Sequence, residues 1–228
     1  MAGRGTRLAL TLAGSLLLAT ITQQPAFAAE EAVNAPLAKV SAKESGLQTA
    51  IFAGGCFWGI EGVFSHTKGV TSAVSGYHGG SKADATYKKV SADGTGHAEV
   101  VKVTYDPKIV RYDQLLRIFF SVGADPTMLN AQGPDRGTQY RSALVPMNAE
   151  QRKVATAYLA QMKKSGVWSK PIVTKVEAYK AFYQAEDYHQ DFMKKNPQQG
   201  YIVRWDAPKV AALKRLFPSQ YSATFKTG

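Results

Sequence analysis

Residues 49–64 place a strand, a tight turn and a helix in direct succession, which restricts the fold more than any other segment does. The apolar run 49–53 ends at a pair of glycines, and apolar residues then recur at helical spacing up to position 64. Cys56 stands in the first turn of that helix. The glycines before it let the backbone bend sharply and would let a substrate come close to the thiol.

Cys56 is the only cysteine among the 228 residues, so the chain can form no internal disulfide. At the start of a helix, unpaired backbone N–H groups and the helix dipole favour an anion, and both are expected to lower the pKa of the thiol. The thiolate is the reactive form of cysteine. The segment therefore indicates a catalytic thiol, with a small buried apolar residue as the alternative.

The clearest strand covers residues 99–105, in which the side chains alternate until Asp106 and Pro107 end the run. Glu99 has the parity of the apolar positions and is predicted to point toward the buried face. A buried carboxyl group has a raised pKa and, while protonated, can donate a proton to an oxygen. A glutamate at a strand end in solvent or in an ion pair is the alternative.

Weaker patterns complete an α+β domain with a mixed sheet. They predict strands at 71–77, 142–145 and 173–177, an ordered loop at 123–138, and helices at 112–122, 148–165, 186–195 and 209–216. The third of these helices should end at Asn196 and Pro197, and a capping box of Asn148 and Gln151 should open the second.

The first 28 residues have the features of a signal peptide. Arg4 and Arg7 precede the apolar run 8–21, and small residues at 26–28 suit a cleavage site near Ala28 and Ala29. No other segment approaches the ~20 apolar residues that a transmembrane helix needs. We expect a periplasmic or secreted protein that contacts no membrane, with a flexible arm at 29–48, a catalytic domain at 49–200 and a basic tail at 201–228.

The formal charge of +11 raises the question of nucleic-acid binding. The lysines and arginines are spread along the chain and form no basic cluster. We therefore expect no nucleic-acid partner.

Four motifs resemble those of peptide methionine sulfoxide reductases of the A type. They are Gly-Cys-Phe-Trp-Gly at 55–59, Gly-His-Ala-Glu-Val at 96–100, Gln-Gly-Pro-Asp at 132–135 and Gly-Thr-Gln-Tyr-Arg-Ser at 137–142. Their order and spacing agree with the family, and the similarity runs from about position 51 to 196. The resemblance implies a single domain with a ferredoxin-like core of that family's type.

The resemblance also implies a role for each matching residue. Cys56 would be the nucleophile, and Glu99 would donate a proton to the sulfoxide oxygen. Tyr87 and Tyr140 would donate hydrogen bonds to that oxygen. The substrate would be bound by Phe57, Trp58 and Asp135. The substrate would be the S epimer of methionine sulfoxide, free or in proteins. The product on the enzyme would be a sulfenic acid.

Many relatives carry resolving cysteines near the C-terminus, whereas this chain has none and places Ile202 where one is expected. The sulfenic acid must then be reduced by an external thiol, either a thioredoxin-like protein or a small thiol. We expect no bound cofactor and a monomer.

Two other functions fit parts of the sequence. A thiol enzyme that reduces peroxides would also need a reactive Cys56. A basic extracytoplasmic binding module could instead use the aromatic residues for recognition, with the thiol inert. The four histidines lack the spacing of a known metal-ligand motif, so we expect no metal site.

Overall fold

The computed structural model describes residues 1, 3 and 31–228. The signal peptide predicted for residues 1–28 lies outside the described residues, apart from Met1 and Gly3. Among the described residues, no helix has the length and apolar character needed to cross a bilayer.

A mixed sheet of six strands forms the centre of the fold, and a short hairpin lies beside it. The sheet strands are β1 (Gln48–Gly54), β2 (Val70–His78), β3 (Ala98–Tyr105), β6 (Ser142–Val145), β7 (Lys175–Val176) and β8 (Phe182–Gln184), and the hairpin is β4 (Ala131–Gln132) with β5 (Asp135–Arg136). The order across the sheet is β7-β6-β1-β3-β2-β8. Only the β6–β7 pair within it is parallel. The predicted α+β class with a mixed sheet is confirmed.

Helices pack against this sheet and enclose the main core. They are α1 (Phe57–Ser65), α2 (Tyr87–Val90), α3 (Tyr112–Ile118), α4 (Ala149–Lys163), α5 (Phe192–Lys195) and α6 (Ala207–Leu216). Phe52 of β1 lies at the centre, with its ring 4.6 Å from that of Phe64 and 5.3 Å from that of Phe119. Large aromatic groups buried between the sheet and α1, α3 and α4 hold these layers together.

Several predicted elements lie within two residues of their predicted bounds. Strand β6 covers the predicted 142–145. The Asn148 side chain accepts a hydrogen bond from the Gln151 backbone N–H at 2.8 Å and so caps α4.

Three elements differ from their predictions. The helix predicted for 112–122 changes at Phe119 into a π-helical turn, Phe119–Gly123. The strand predicted for 173–177 is reduced to β7. The helix predicted for 186–195 is limited to α5, because the Gln190 amide bonds both the N–H and the C=O of Ser75, at 3.0 Å each, and holds this stretch against β2.

Residues 31–48 lie against α3 and α4, and the structure therefore differs from the flexible arm predicted for 29–48. The backbone N–H of Ala35 donates to the Ser121 hydroxyl at 3.0 Å, and that of Ala42 donates to the Asp113 carboxylate at 2.9 Å. Both alanines are buried. Side chains that are distant along the chain thus accept hydrogen bonds from backbone N–H groups of a segment that has no regular structure of its own.

Residues 201–228 are also part of the domain, in contrast to the separate basic tail that was predicted. A π-helical turn, Ile202–Asp206, leads directly into α6. Leu213 and Phe217 pack with Val63 of α1 in a second buried cluster. Because α6 covers α1, this segment reaches the region of Cys56.

Candidate active site

Cys56 lies between the end of β1 and the first residue of α1, as the sequence predicts. Gly55 before it has a φ of +86°, and a Cβ at this position would lie 2.4 Å from the Cβ of Gln132. Only glycine fits both the backbone conformation and this close approach. The bend leaves the Cys56 side chain partly accessible to solvent.

The pKa of the Cys56 thiol is raised well above its usual value, which corrects the prediction of a lowered pKa. Burial among protein atoms is the main cause, and the nearby carboxylates of Asp206 and Glu99 add to it. The backbone N–H of Trp58 lowers the pKa, as expected at a helix N-terminus, but it is outweighed. The resting thiol is therefore protonated at neutral pH.

Glu99 is buried at the start of β3, next to the first turn of α1. One carboxyl oxygen, Oε2, accepts a hydrogen bond from the Phe57 N–H at 3.0 Å. Burial raises the pKa of Glu99 to about 8, although this hydrogen bond opposes the shift. The group is thus mainly protonated at pH 7 and has a proton to give.

All the site residues predicted from the sequence line one cavity of about 270 Å³. They are Cys56, Phe57, Trp58, Tyr87, Glu99, Asp135 and Tyr140. Gln199 and Tyr201 complete the lining. This volume lies at the lower end of small-molecule sites and suits one side chain better than a large cofactor.

Tyr87 and Tyr140 are brought to the cavity by short helical turns. Tyr87 opens α2, and its backbone N–H donates to the Glu186 carboxylate at 2.8 Å. Tyr140 ends the turn Thr138–Tyr140, which Arg141 holds through a hydrogen bond to the Thr138 carbonyl at 3.1 Å. Burial raises the pKa of both phenols, so both are neutral hydrogen-bond donors at pH 7.

Trp58 forms an aromatic wall of the cavity. Its indole stacks on Phe192 with ring centroids 3.8 Å apart and planes 7° from parallel. The indole N–H donates to Nδ1 of His189 at 3.1 Å. Burial lowers the pKa of His189, which favours the neutral ring that this acceptor requires. The indole is thus fixed in position by both stacking and a hydrogen bond.

Tyr201 is a site residue that the sequence analysis missed. Its hydroxyl donates to Oδ2 of Asp135, and its ring meets the indole of Trp58 edge to face at 6.0 Å. The signal was present in the two aromatic residues Tyr201 and Trp205, four positions apart. It was obscured because the basic, irregular segment around them gave no sign that it returns to Cys56.

A second, narrower opening also borders Cys56. It has a volume of about 10 Å³, roughly the space that one water molecule needs. Gln132, Gly133 and Pro134 line one side, and Trp205, Asp206 and Lys209 line the other. Asp135 and Tyr201 border both openings, so their hydrogen bond separates the two.

The arrangement combines a sulfur nucleophile, a protonated carboxyl group and two neutral phenols around one small cavity. Such a set can attack an electrophilic centre and donate protons to an oxygen that leaves it. In residues 31–228, no group of three or more His, Cys, Asp or Glu side chains is placed so that it could hold a metal ion.

Comparison with known proteins identifies the family that shares these features. A family model described as peptide methionine sulfoxide reductase matches residues 48–220. The chain is 57% identical over 177 residues to the peptide methionine sulfoxide reductase MsrA 2 of Mesorhizobium japonicum, covering 78% of this chain and 91% of the relative. It is 48% identical over 170 residues to MsrA of Deinococcus radiodurans, covering 75% and 82%.

Solved structures have a similar fold. The crystal structure of Mxr1 from Saccharomyces cerevisiae in reduced form matches with a TM-score of 0.59 and 34% identity, covering 70% of this chain and 91% of that one. Methionine sulfoxide reductase A of Corynebacterium diphtheriae matches with a TM-score of 0.57 and 30% identity, covering 76% and 92%.

Proposed function

The chain belongs to the peptide methionine sulfoxide reductase family, and we propose that it reduces methionine S-sulfoxide, free or in proteins, through the thiol of Cys56. Members of this family are oxidoreductases whose reaction repairs oxidised methionine. The observation that carries the proposed mechanism is that Cys56 and a protonated Glu99 share one small cavity.

The aromatic residues at the cavity give the substrate its orientation. The S-methyl group of the sulfoxide packs against Phe57 and the indole of Trp58, which its stacking and hydrogen bond hold in place. The sulfoxide oxygen then points toward Glu99 and the hydroxyls of Tyr87 and Tyr140. Support for this orientation comes from the chemistry of the two walls, since one is apolar and the other presents only neutral donors.

The reaction transfers one oxygen from the substrate to Cys56. The sulfur of Cys56 attacks the sulfoxide sulfur and gives up its proton, while Glu99 protonates the sulfoxide oxygen and the tyrosines stabilise it. A bond forms between the two sulfurs while the S–O bond of the substrate breaks, and the oxygen leaves as water, having taken up the proton of Glu99 and the proton of the thiol. This water attacks the Cys56 sulfur and returns a proton to Glu99, the bond between the two sulfurs breaks, methionine leaves, and Cys56 carries the oxygen as a sulfenic acid. The thiol loses two electrons and the sulfoxide gains them.

The sulfenic acid is then reduced by an external thiol, because the chain contains no second cysteine. One thiol forms a mixed disulfide with Cys56 and releases water. A second thiol releases Cys56 and takes the disulfide away.

We further propose that the enzyme repairs exported proteins in the periplasm or outside the cell. Arg4, Arg7 and the apolar run 8–21, followed by small residues at 26–28, support this location. The test is fractionation of cells that express the full chain, with N-terminal sequencing of the protein. A protein that stays in the cytoplasm with its first residues intact would contradict the location.

The reaction is tested with resolved S and R epimers of a methionine sulfoxide peptide, the mature protein and excess dithiothreitol. We expect turnover of the S epimer alone, and none by a Cys56→Ser variant. Turnover of neither epimer would refute the mechanism, whereas reduction of hydrogen peroxide in its place would favour a peroxide-reducing enzyme.

A further inference from the structure

Tyr87, one of the two phenols that the proposed reaction uses, lies in a stretch with little packing of its own. Most side chains between positions 81 and 96 are exposed, although Val90 is buried. Tyr87 opens α2, which has four residues, and the side chain of Thr86 before it makes no capping hydrogen bond within the described part of the chain. A helix of this length is not stable by itself, so the direction of the Tyr87 side chain has to be fixed from outside this stretch.

Glu186 provides such a contact from a position two residues beyond β8 and 99 positions away along the chain. Its Oε1 accepts a hydrogen bond from the Tyr87 backbone N–H at 2.8 Å, and its Oε2 accepts one from the Tyr77 hydroxyl at 2.8 Å. Tyr77 belongs to β2 and is completely buried. The first N–H groups of a helix have no partner within the helix, so the carboxylate takes the place of a cap and connects α2 to the sheet.

The same turn of the chain also contacts the ring of Tyr87. The backbone N–H of His189 donates to the Glu186 carbonyl at 2.9 Å, and the centroid of the imidazole lies 4.4 Å from that of the Tyr87 ring. The imidazole also accepts the hydrogen bond from the indole N–H of Trp58. The turn 186–189 therefore sets the position of one of the phenols relative to the indole on the opposite, apolar wall of the cavity.

Glu186 is in the ionised form that these contacts require. Burial opposes ionisation, but hydrogen bonds from the N–H groups of Tyr87 and of Glu186 itself and from the Tyr77 hydroxyl outweigh it and lower the pKa of the carboxyl group. A carboxylate accepts at both oxygens and has no proton to give. Unlike Glu99, Glu186 does not line the cavity. Any effect on the reaction must therefore pass through its neighbours.

We propose that Glu186 is a positioning residue, which holds the Tyr87 hydroxyl at the place where the sulfoxide oxygen gains negative charge. This inference rests on the proposed function. A hydrogen bond to a group that gains charge stabilises the transition state more than it stabilises the bound substrate. Loss of Glu186 should therefore slow the chemical step and leave substrate binding nearly unchanged.

The test measures the first half of the reaction alone, in a single turnover. The mature enzyme, fully reduced and freed of added thiol, is mixed in excess with a methionine S-sulfoxide peptide. The maximum rate of methionine formation and the enzyme concentration that gives half this rate are determined.

Glu186→Ala should lower the maximum rate about tenfold, because a misplaced donor loses much of its effect, and change the half-saturating concentration by less than about twofold. Glu186→Gln should stay within about threefold of the parent rate. Its amide oxygen can accept the Tyr87 N–H while its NH2 group faces the Tyr77 hydroxyl, although hydrogen bonds to a neutral group are weaker.

A double-mutant cycle with Tyr87→Phe separates positioning from a general structural effect. In the Tyr87→Phe background, Glu186→Ala should lower the maximum rate by less than about twofold, because the hydroxyl that Glu186 positions is missing. A merely structural role would lower it by the same factor in both backgrounds. If urea unfolding shows that Glu186→Ala does not fold, Glu186→Asp, which is shorter by one methylene group, takes its place in the cycle.

Asp187→Ala is the matched control, since it removes the exposed carboxylate next to Glu186, and it should keep the maximum rate of the parent. Four results would each overturn the positioning role: equal factors in the two backgrounds, a parent rate for Glu186→Ala, Glu186→Gln as slow as Glu186→Ala, or an equal loss in Asp187→Ala. Absence of methionine formation by the parent would instead overturn the proposed reaction.

Discussion

Replacing Glu61 by glutamine should stabilise the protein by an amount that grows with pH. Glu61 lies in α1, three residues after Trp58, and its side chain is completely buried. The nearest polar groups are the backbone N–H groups of Asp191 and Phe192 and the Ser75 hydroxyl, and neither carboxyl oxygen makes a hydrogen bond of full geometry with a described residue. Burial raises the pKa of this carboxyl from 4.5 to about 8.

The size of the effect follows from this pKa. Between pH 4.5 and about 8, the folded protein keeps a proton on Glu61 that the unfolded chain has released, so stability falls as the pH rises. Each pH unit above 4.5 lowers the free energy of unfolding by about 1.4 kcal/mol, so the loss reaches about 3 kcal/mol at pH 7. Glutamine has nearly the same shape and no charge to lose, and its amide can face the same N–H groups and the Ser75 hydroxyl.

The assay is urea unfolding followed by tryptophan fluorescence at several pH values from about 5 to about 8. The free energy of unfolding of Glu61→Gln minus that of the parent should rise by about 1.4 kcal/mol per pH unit. Asp187→Asn makes the same change from carboxylate to amide at an exposed position and is the control, which should change the free energy of unfolding by less than about 0.5 kcal/mol. A constant difference for Glu61→Gln, or one that falls with pH, would refute the reasoning.

Further predictions concern the cavity. Glu99→Gln should lower the dithiothreitol-driven kcat for the S-sulfoxide on the order of a hundredfold, because the amide has no proton to transfer, and a rate within a fewfold of the parent's would contradict the role of Glu99. Alkylation of Cys56 by iodoacetamide should be slow at pH 7 and still rise with pH above its usual pKa, because burial raises the pKa of the thiol. Asp206→Asn should speed this alkylation at a fixed pH by removing a nearby negative charge, and an unchanged rate would argue against that effect. Tyr201→Phe should raise the KM for the peptide more than it lowers kcat, because the link to Asp135 between the two openings is lost.

The sequence predicted those elements whose signal is contained within a few residues. The alternation in β3 predicted that Glu99 points toward the buried face of the strand, and this side chain is buried in the structure. The cap at Asn148 placed the start of α4. Both signals depend on the local backbone and on which side of an element faces the core, so a single sequence contains them.

Elements that depend on distant partners were predicted poorly. The segment 31–48 has no apolar period of its own, and its place is set by groups such as Ser121 and Asp113, which lie more than 70 positions away along the chain. In the same way, Tyr201 reaches the cavity only because α6 packs on α1. Composition and periodicity describe what a segment could bury, and they do not specify the surface that accepts it.

The protonation state of Cys56 also depends on distant residues, and it bears directly on the proposed reaction. The local rule for a helix N-terminus predicts a thiolate, whereas burial and the nearby carboxylate of Asp206 keep the thiol neutral. Glu99 is neutral for the same reason, since a buried cavity disfavours every added charge. A thiolate and an ionised Glu99 would repel one another here, so the thiol should lose its proton only as the sulfoxide oxygen takes up the proton of Glu99. The proton lost by sulfur can then replace the one that Glu99 gave, so the transfer adds no more than one negative charge to the cavity.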